Sequence, residues 1–174
     1  RIISKKVIFM SNNPWEEIKL SDYKNHMGSE NVYQLQTLNT IIKEQVKTVC
    51  VDDKRKYIVA VLGITDGNGL EHISPLKICE VIGIDINKDY LCQCKKKYQQ
   101  LNGILNLYCI DLMTDKNETV KLIEKSDLII ADLIIEHIHL DNFIEIISRL
   151  SQKSRTVSCV IQYNPDGTLV SNSG

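Results

Sequence analysis

Residues Tyr57–Asn87 read Y-I-V-A-V-L-G-I-T-D-G-N-G-L-E-H-I-S-P-L-K-I-C-E-V-I-G-I-D-I-N. Ile58–Leu62 is a short apolar run rich in β-branched residues, long enough for a buried parallel strand and too short for a helix. Gly63, Gly67 and Gly69 follow at once, and backbone without a Cβ lets a ligand lie directly against it. Leu70–Ile73 is placed to open a helix, but Pro75 is tolerated only in a first turn, so that helix is expected to be short or irregular. Glu80–Ile86 is a second apolar run, with Asp85 at its carboxyl end, 22 residues after Gly63. Nucleotide-binding βαβ units place a ribose-binding carboxylate about 20 residues beyond the glycine turn. The stretch predicts strand, glycine turn, short helix, strand and acid, which is the layout of a nucleoside site.

The glycine spacing narrows the ligand. A dinucleotide fingerprint, G-x-G-x-x-G, starts as the strand ends so that a pyrophosphate sits on the helix N-terminus. Here Thr65 occupies the second glycine position, and starting instead at Gly67 leaves the third glycine missing. No Gly-Lys-Ser/Thr follows, so the turn is no Walker loop either. A smaller ligand with a ribose and a zwitterionic tail suits it better.

Outward from this stretch the pattern alternates. Trp15–Val49 is helical, with Ser21-Asp22 and Ser29 as candidate caps. Val32, Leu35, Leu38, Ile41, Ile42 and Val46 form an apolar stripe. Val51–Lys56 is a charged connector. Downstream, a helix is expected over Asp89–Leu101, ended by Asn102-Gly103, then a strand over Leu105–Ile110 with Asp111-Leu112 at its end. A short helix over Thr119–Glu124 precedes a fourth strand, Asp127–Ala131, with Asp132 after it. Phe143–Leu150 continues as an amphipathic helix, Ser158–Gln162 is a fifth strand, and Asn164–Gly167 is a turn. Strands alternating with helices predict an α/β fold, a mostly parallel sheet with helices on both faces. Asp85, Asp111 and Asp132 then share the carboxyl edge of the sheet, where open α/β sheets bind ligands. Each is also readable as a turn or N-cap acid.

Four segments in this order, L-G-I-T-D-G-N-G-L-E-H-I (62–73), V-I-G-I-D-I-N (81–87), L-Y-C-I-D-L (107–112) and D-L-I-I-A-D-L-I-I-E-H-I (127–138), resemble the successive motifs of class I S-adenosylmethionine-dependent methyltransferases. The likeness covers roughly Tyr57–Tyr163 and is nearest to small bacterial members of the type 11/12 kind. It implies a Rossmann-like methyltransferase fold and S-adenosylmethionine as cofactor. Gly63, Thr65 and Gly67 would cradle the methionine end, Asp85 would bind the ribose, and Ile86 would pack on the adenine. Asp111 would take the adenine amino group, the Leu112 N–H the ring, and Ala131-Asp132 would lie beside the methyl group. Two positions depart from the family pattern: Val61 stands where an acid is usual, and Thr65 where Gly is usual. The segment Tyr23–Gln34 is similar to a helical lid, so residues 1–56 are expected as an N-terminal extension and 57–174 as the cofactor-binding core. Tyr23, His26 and Met27 are candidates to face cofactor or substrate, with helix packing as the other reading. The Glu136-His137 pair is similar to one common in small-molecule methyltransferases, and His137 is a candidate general base or a structural residue. The family's last helix and β-hairpin have no evident counterpart.

Composition excludes several classes. The formal net charge is −1 over 174 residues, so no basic footprint for nucleic acid or anionic membrane is present. No run approaches the ~20 apolar residues of a membrane span. Arg1–Phe9 has no cleavage pattern, and Met10 is a candidate natural start. Six cysteines without a C-x-x-C pair are expected to be reduced thiols in a cytoplasmic protein. E-H-I-H (136–139) is not the H-E-x-x-H of a metalloprotease, so no metal is assigned. The absence of N/D-P-P-Y after the fourth strand argues against nucleobase and glutamine acceptors, and a small molecule is expected, with a protein side chain as the open alternative. Direct displacement at a sulfonium methyl needs positioning above all, and no catalytic side chain is singled out. The rivals are a non-catalytic cofactor-binding module and a nicotinamide-dependent oxidoreductase, the latter lacking a catalytic Tyr-x-x-x-Lys.

Overall fold

The computed structural model describes residues 13–151 and 155–162. The Met10 start and the Asn164–Gly167 turn lie outside them. Strands β1 (Tyr57–Leu62), β2 (Ile78–Asp85), β3 (Leu105–Cys109), β4 (Leu128–Asp132) and β5 (Thr156–Val160) form one parallel sheet in the order β3-β2-β1-β4-β5. β1, β2 and β4 are buried on both faces, which is why they read as continuous apolar runs instead of alternating. Strand order reverses between β1 and β4, and a crevice opens there at the carboxyl edge.

Six helices flank the described sheet: α1 (Leu20–Met27), α2 (Gln34–Val49), α3 (Lys88–Lys97), α4 (Lys116–Ile123), α5 (Ile135–Ile138) and α6 (Leu140–Ser148). α2 and α3 pack on one face through Ile42, Val46, Leu91 and Cys94. α4, α5 and α6 cover the other through Ile123, Ile138, Phe143 and Ile146. The β1–β2 crossover contains only a three-residue 3-10 turn, Leu70–His72, as Pro75 forewarned. α2 fills the space. Gly69, at φ +86, brings its backbone so near α2 that a Cβ there would stand 2.8 Å from Ile42 Cγ2. Burying Leu38, Ile42 and Val46 on α2 stabilises this docking by about 1.5–3 kcal/mol per residue, and Ile42→Asp would undo it. A polar network ties the same surfaces: Asn39 Nδ2 donates to Glu71 at 2.6 Å, Asn68 Nδ2 to the Leu35 carbonyl at 2.9 Å, and Tyr98 OH to Glu71 at 2.8 Å. His72 lies 2.9 Å from Asn39 Oδ1 and belongs to this network.

Three local readings need correction. Ser21-Asp22 and Ser29 do not cap helix starts: α1 begins after Lys19 without a side-chain cap, and Ser29 Oγ donates to the His26 carbonyl at the end of α1. The helix expected over Asp89–Leu101 is α3 plus a separate 3-10 turn, Gln99–Leu101. The segment after β4 breaks at His139, whose φ of 65° separates α5 from α6.

Candidate functional site

The crevice encloses about 200 Å³. Asp85, Ile86, Asp111 and Leu112 line it on its β2–β3 side, and Asp132, Leu133, Ile134, Glu136, His137 and Gln162 on its β4–β5 side. Gly63, Ile64 and Thr65, leaving β1, form the floor between them.

On the β2–β3 side every polar group named has a partner. Asp85 is 9% exposed. Its Oδ2 accepts the Thr65 N–H at 2.9 Å and its Oδ1 the Asn87 N–H at 2.9 Å. Burial pushes its carboxyl above the usual carboxylate range, while the N–H groups of Asn87, Thr65 and Ile86 oppose the rise. Thr65 is held at φ 52, a left-handed conformation that costs about 1–2 kcal/mol. The bond to Asp85 is one of the contacts that holds it there. Asp111 Oδ1 accepts the Met113 N–H at 2.8 Å. It is therefore a turn acid and a cleft residue at once.

The β4–β5 side is different. Asp132 Oδ1 accepts from Gln45 Nε2 at 2.9 Å, and Gln45 also reaches Ser158 Oγ at 3.0 Å. Asp132 Oδ2 is enclosed and has no hydrogen-bond partner. Burial raises the Asp132 carboxyl, and the Gln45 amide and the Val160 N–H dipole oppose this. Glu136 Oε1 accepts the Gln162 N–H at 2.7 Å, and its Oε2 is likewise enclosed without a partner. His137 stays exposed as a residue, and partial desolvation of its ring lowers its pKa below the usual histidine value, with Glu136 pulling the other way.

A strap from Asn13 to Ile18 spans both sides. Asn87 caps α3 by accepting from the N–H groups of Asp89 (3.0 Å) and Tyr90 (3.2 Å). Its Nδ2 points the other way, donating to the carbonyls of Trp15 (2.9 Å), Glu16 (3.3 Å) and Ile18 (3.3 Å). The Trp15 ring then meets His137 edge-on at 4.5 Å. α1 follows, anchored by Lys24 Nζ to buried Asp66 at 2.7 Å. Tyr23 lies over the floor, 6.1 Å from the Tyr90 ring, and burial raises its hydroxyl pKa while a hydrogen bond with Thr65 opposes this.

Among the residues singled out from sequence, Gly63, Thr65, Asp85, Ile86, Asp111, Leu112, Asp132, Tyr23, Met27 and His137 line the crevice. Gly67, Ala131 and His26 do not. Gly67, at φ +83, is needed for packing: a Cβ would stand 2.8 Å from Cys94 Sγ and from Tyr98. Ala131 is wholly buried beneath the edge, and His26 lies on the exposed side of α1. Trp15, Gln45, Asn87 and Gln162 escaped the sequence reading. Only Asn87 carried a usable signal, as an N-cap residue type directly after a strand and before a helix.

No protein-family model matches the chain, and no curated protein matches it in sequence. Solved structures do match. A Methanococcus maripaludis protein assigned as an S-adenosyl-L-methionine-dependent methyltransferase aligns over 80% of this chain and 61% of its own, with a TM-score of 0.58 and 10% identity. An S-adenosylmethionine-dependent methyltransferase from Clostridium acetobutylicum aligns over 79% of this chain and 55% of its own, with a TM-score of 0.56 and 15% identity. Magnesium protoporphyrin IX methyltransferase from Synechocystis, solved with bound S-adenosylmethionine, aligns over 77% of this chain and 65% of its own, at 0.53 and 17%. The chain thus spans less than two thirds of the length of each. With five parallel strands and helices on both faces, it has the Rossmann-like fold of these methyltransferases.

Proposed function

We propose that this chain binds S-adenosyl-L-methionine along the β1–β2–β3 edge of the crevice and transfers its methyl group to a small acceptor on the β4–β5 side. The observation that carries the reading is Asp85: a buried carboxylate at the end of β2, fixed by two backbone N–H groups and lining a crevice at the switch point. Each oxygen keeps a lone pair after those bonds, which suits a pair of ribose hydroxyls. Ile86 supplies an apolar wall for the adenine, and Asp111 an acceptor for its amino group. Gly63 and Thr65 present backbone to the methionine end. When bound, the cofactor supplies an electrophilic methyl on a sulfonium. The chain positions the acceptor and excludes water, and alignment of this kind is worth about 7–11 kcal/mol of barrier. Small-molecule sites usually offer about 300–1,000 Å³, so the crevice, at about 200 Å³, widens on loading. In this reading residues 1–56 are an extension whose first helix covers the crevice, and 57–174 are the cofactor-binding core. Val61, apolar at the crevice where an acid is usual, favours a second reading, a cofactor-binding module without turnover.

Isothermal titration with S-adenosylmethionine and S-adenosylhomocysteine tests the reading. Asp85→Ala removes two charge-assisted contacts and is expected to weaken binding by about 100-fold or more, with thermal melting run alongside to confirm folding. Folded wild-type protein that binds neither ligand overturns the proposal. Binding without turnover of any acceptor selects the second reading.

A further inference from the structure

Four carboxylates line the crevice, Asp85, Asp111, Asp132 and Glu136, and among the described residues no lysine or arginine does. Asp85 and Asp111 are engaged by backbone N–H groups on the β2–β3 side. Asp132 and Glu136 are each fixed through one oxygen, by Gln45 and by the Gln162 N–H, while the second oxygen is enclosed and meets no donor. An enclosed carboxylate oxygen without a donor is costly, and the cost is relieved when a ligand brings one. Around the pair the walls are apolar, with Ile134 and the Trp15 ring lining the same crevice, and an aromatic face attracts a cation.

We infer, taking the methyltransferase reading as given, that the acceptor is a small primary or secondary amine on an apolar body, received as its ammonium form by Asp132 and Glu136. Anionic acceptors, carboxylates and phosphates alike, would enter against these charges with no described cation to meet them. In the transfer, the ammonium first gives one proton to the imidazole of His137, which lines the same side. The amine nitrogen then forms the N–C bond as the C–S bond breaks, its electron pair staying on sulfur as the thioether. The product keeps the ammonium charge, and one proton is released overall.

Trp15 is the only tryptophan in the sequence and lies in the crevice, so its emission reports occupancy. Phenethylamine, 2-phenylethanol and 3-phenylpropionate share a body and differ in charge. They are titrated into S-adenosylhomocysteine-loaded protein and, in parallel, into unloaded protein. Phenethylamine is expected to bind about tenfold or more tighter than the other two, a difference of ~1.4 kcal/mol. Asp132→Asn and Glu136→Gln each keep the fixed oxygen and turn the spare one into a donor. Both should erase most of that preference while melting near wild type. Equal or tighter binding of phenylpropionate, or no response to phenethylamine in either form of the protein, overturns the inference. If S-adenosylhomocysteine fails to bind but unloaded protein still prefers the amine, the cofactor reading falls and the amine site stands.

Discussion

The two sides of the crevice solve opposite problems. On the β2–β3 side the chain satisfies its carboxylates, leaving the enclosed Tyr90 hydroxyl as the exception: Asp85 holds two backbone N–H groups, Asp111 holds a third, and the strained Thr65 is held in turn. On the β4–β5 side it leaves polar atoms waiting: Asp132 Oδ2, Glu136 Oε2 and Gln45 Oε1 are all enclosed and unpartnered. Buried polar groups are ordinarily paired, and exceptions ask for an explanation. On the proposed reading, the first side receives a fixed part of the cofactor and the second receives a donor from the acceptor.

The largest test of this contrast makes one substitution on each side. In Asp85→Asn the new amide group must turn an N–H toward Thr65 N–H or Asn87 N–H, so one contact becomes donor against donor. A destabilisation of about 2–3 kcal/mol is expected. In Asp132→Asn the Gln45 contact survives and an unpartnered charge disappears, so stability at neutral pH should stay within about 0.5 kcal/mol or rise. Burial raises the Asp132 pKa, so the folded state favours the protonated form. That contribution is fully present below the unfolded carboxyl pKa, about 3.9, and is lost as pH rises through the higher folded value. Wild type should therefore gain on Asp132→Asn as the melts are taken from pH 7 toward pH 4. Equal losses for the two variants at pH 7 would break the contrast.

A smaller effect is expected at the strap. Asn87→Asp keeps the acceptor that caps α3 and replaces the Nδ2 donor by an oxygen facing the carbonyls of Trp15, Glu16 and Ile18. The strap should detach at a cost of about 1–3 kcal/mol, with Trp15 emission shifting to the red while far-ultraviolet circular dichroism holds. An unchanged Trp15 spectrum would mean that contacts such as the Trp15–His137 pair, and not Asn87, hold the strap.

The contrast also explains what could be read from sequence. Strand β1, the glycine turn, β2 and Asp85 are contiguous, so spacing alone placed Asp85 at the crevice. The sheet followed because buried parallel strands are apolar throughout, which leaves short unmistakable runs. The other side is assembled from far apart: Gln45 reaches Asp132 across 87 positions, and Asn87 reaches Trp15 across 72. No local pattern announces such pairings. Gly67 misled for a related reason, since a glycine needed for packing against Cys94 and Tyr98 looks in sequence like one needed for a ligand. The stripe of α2 was legible from Leu35 onward, whereas Val32 lies before the helix and is exposed; its docking in place of a β1–β2 helix was not legible, because Pro75 says only that a helix fails there.

The smallest expected effect sharpens the account of the satisfied side. Thr65 at φ 52 carries left-handed strain of about 1–2 kcal/mol that glycine would not. Glycine adds back about 0.5–1 kcal/mol through unfolded-chain entropy, and the Thr65 Oγ1 contact to the Gly63 carbonyl at 3.3 Å is lost. Thr65→Gly should therefore melt within about 1 kcal/mol of wild type, with the gain and the loss nearly cancelling. The N–H to Asp85 survives the change, so S-adenosylhomocysteine affinity should stay within about threefold, roughly 0.7 kcal/mol. A loss beyond tenfold would mean that the hydroxyl itself meets the ligand. The strain would then be part of binding, held in place by Asp85 so that Thr65 presents its side chain to the ligand.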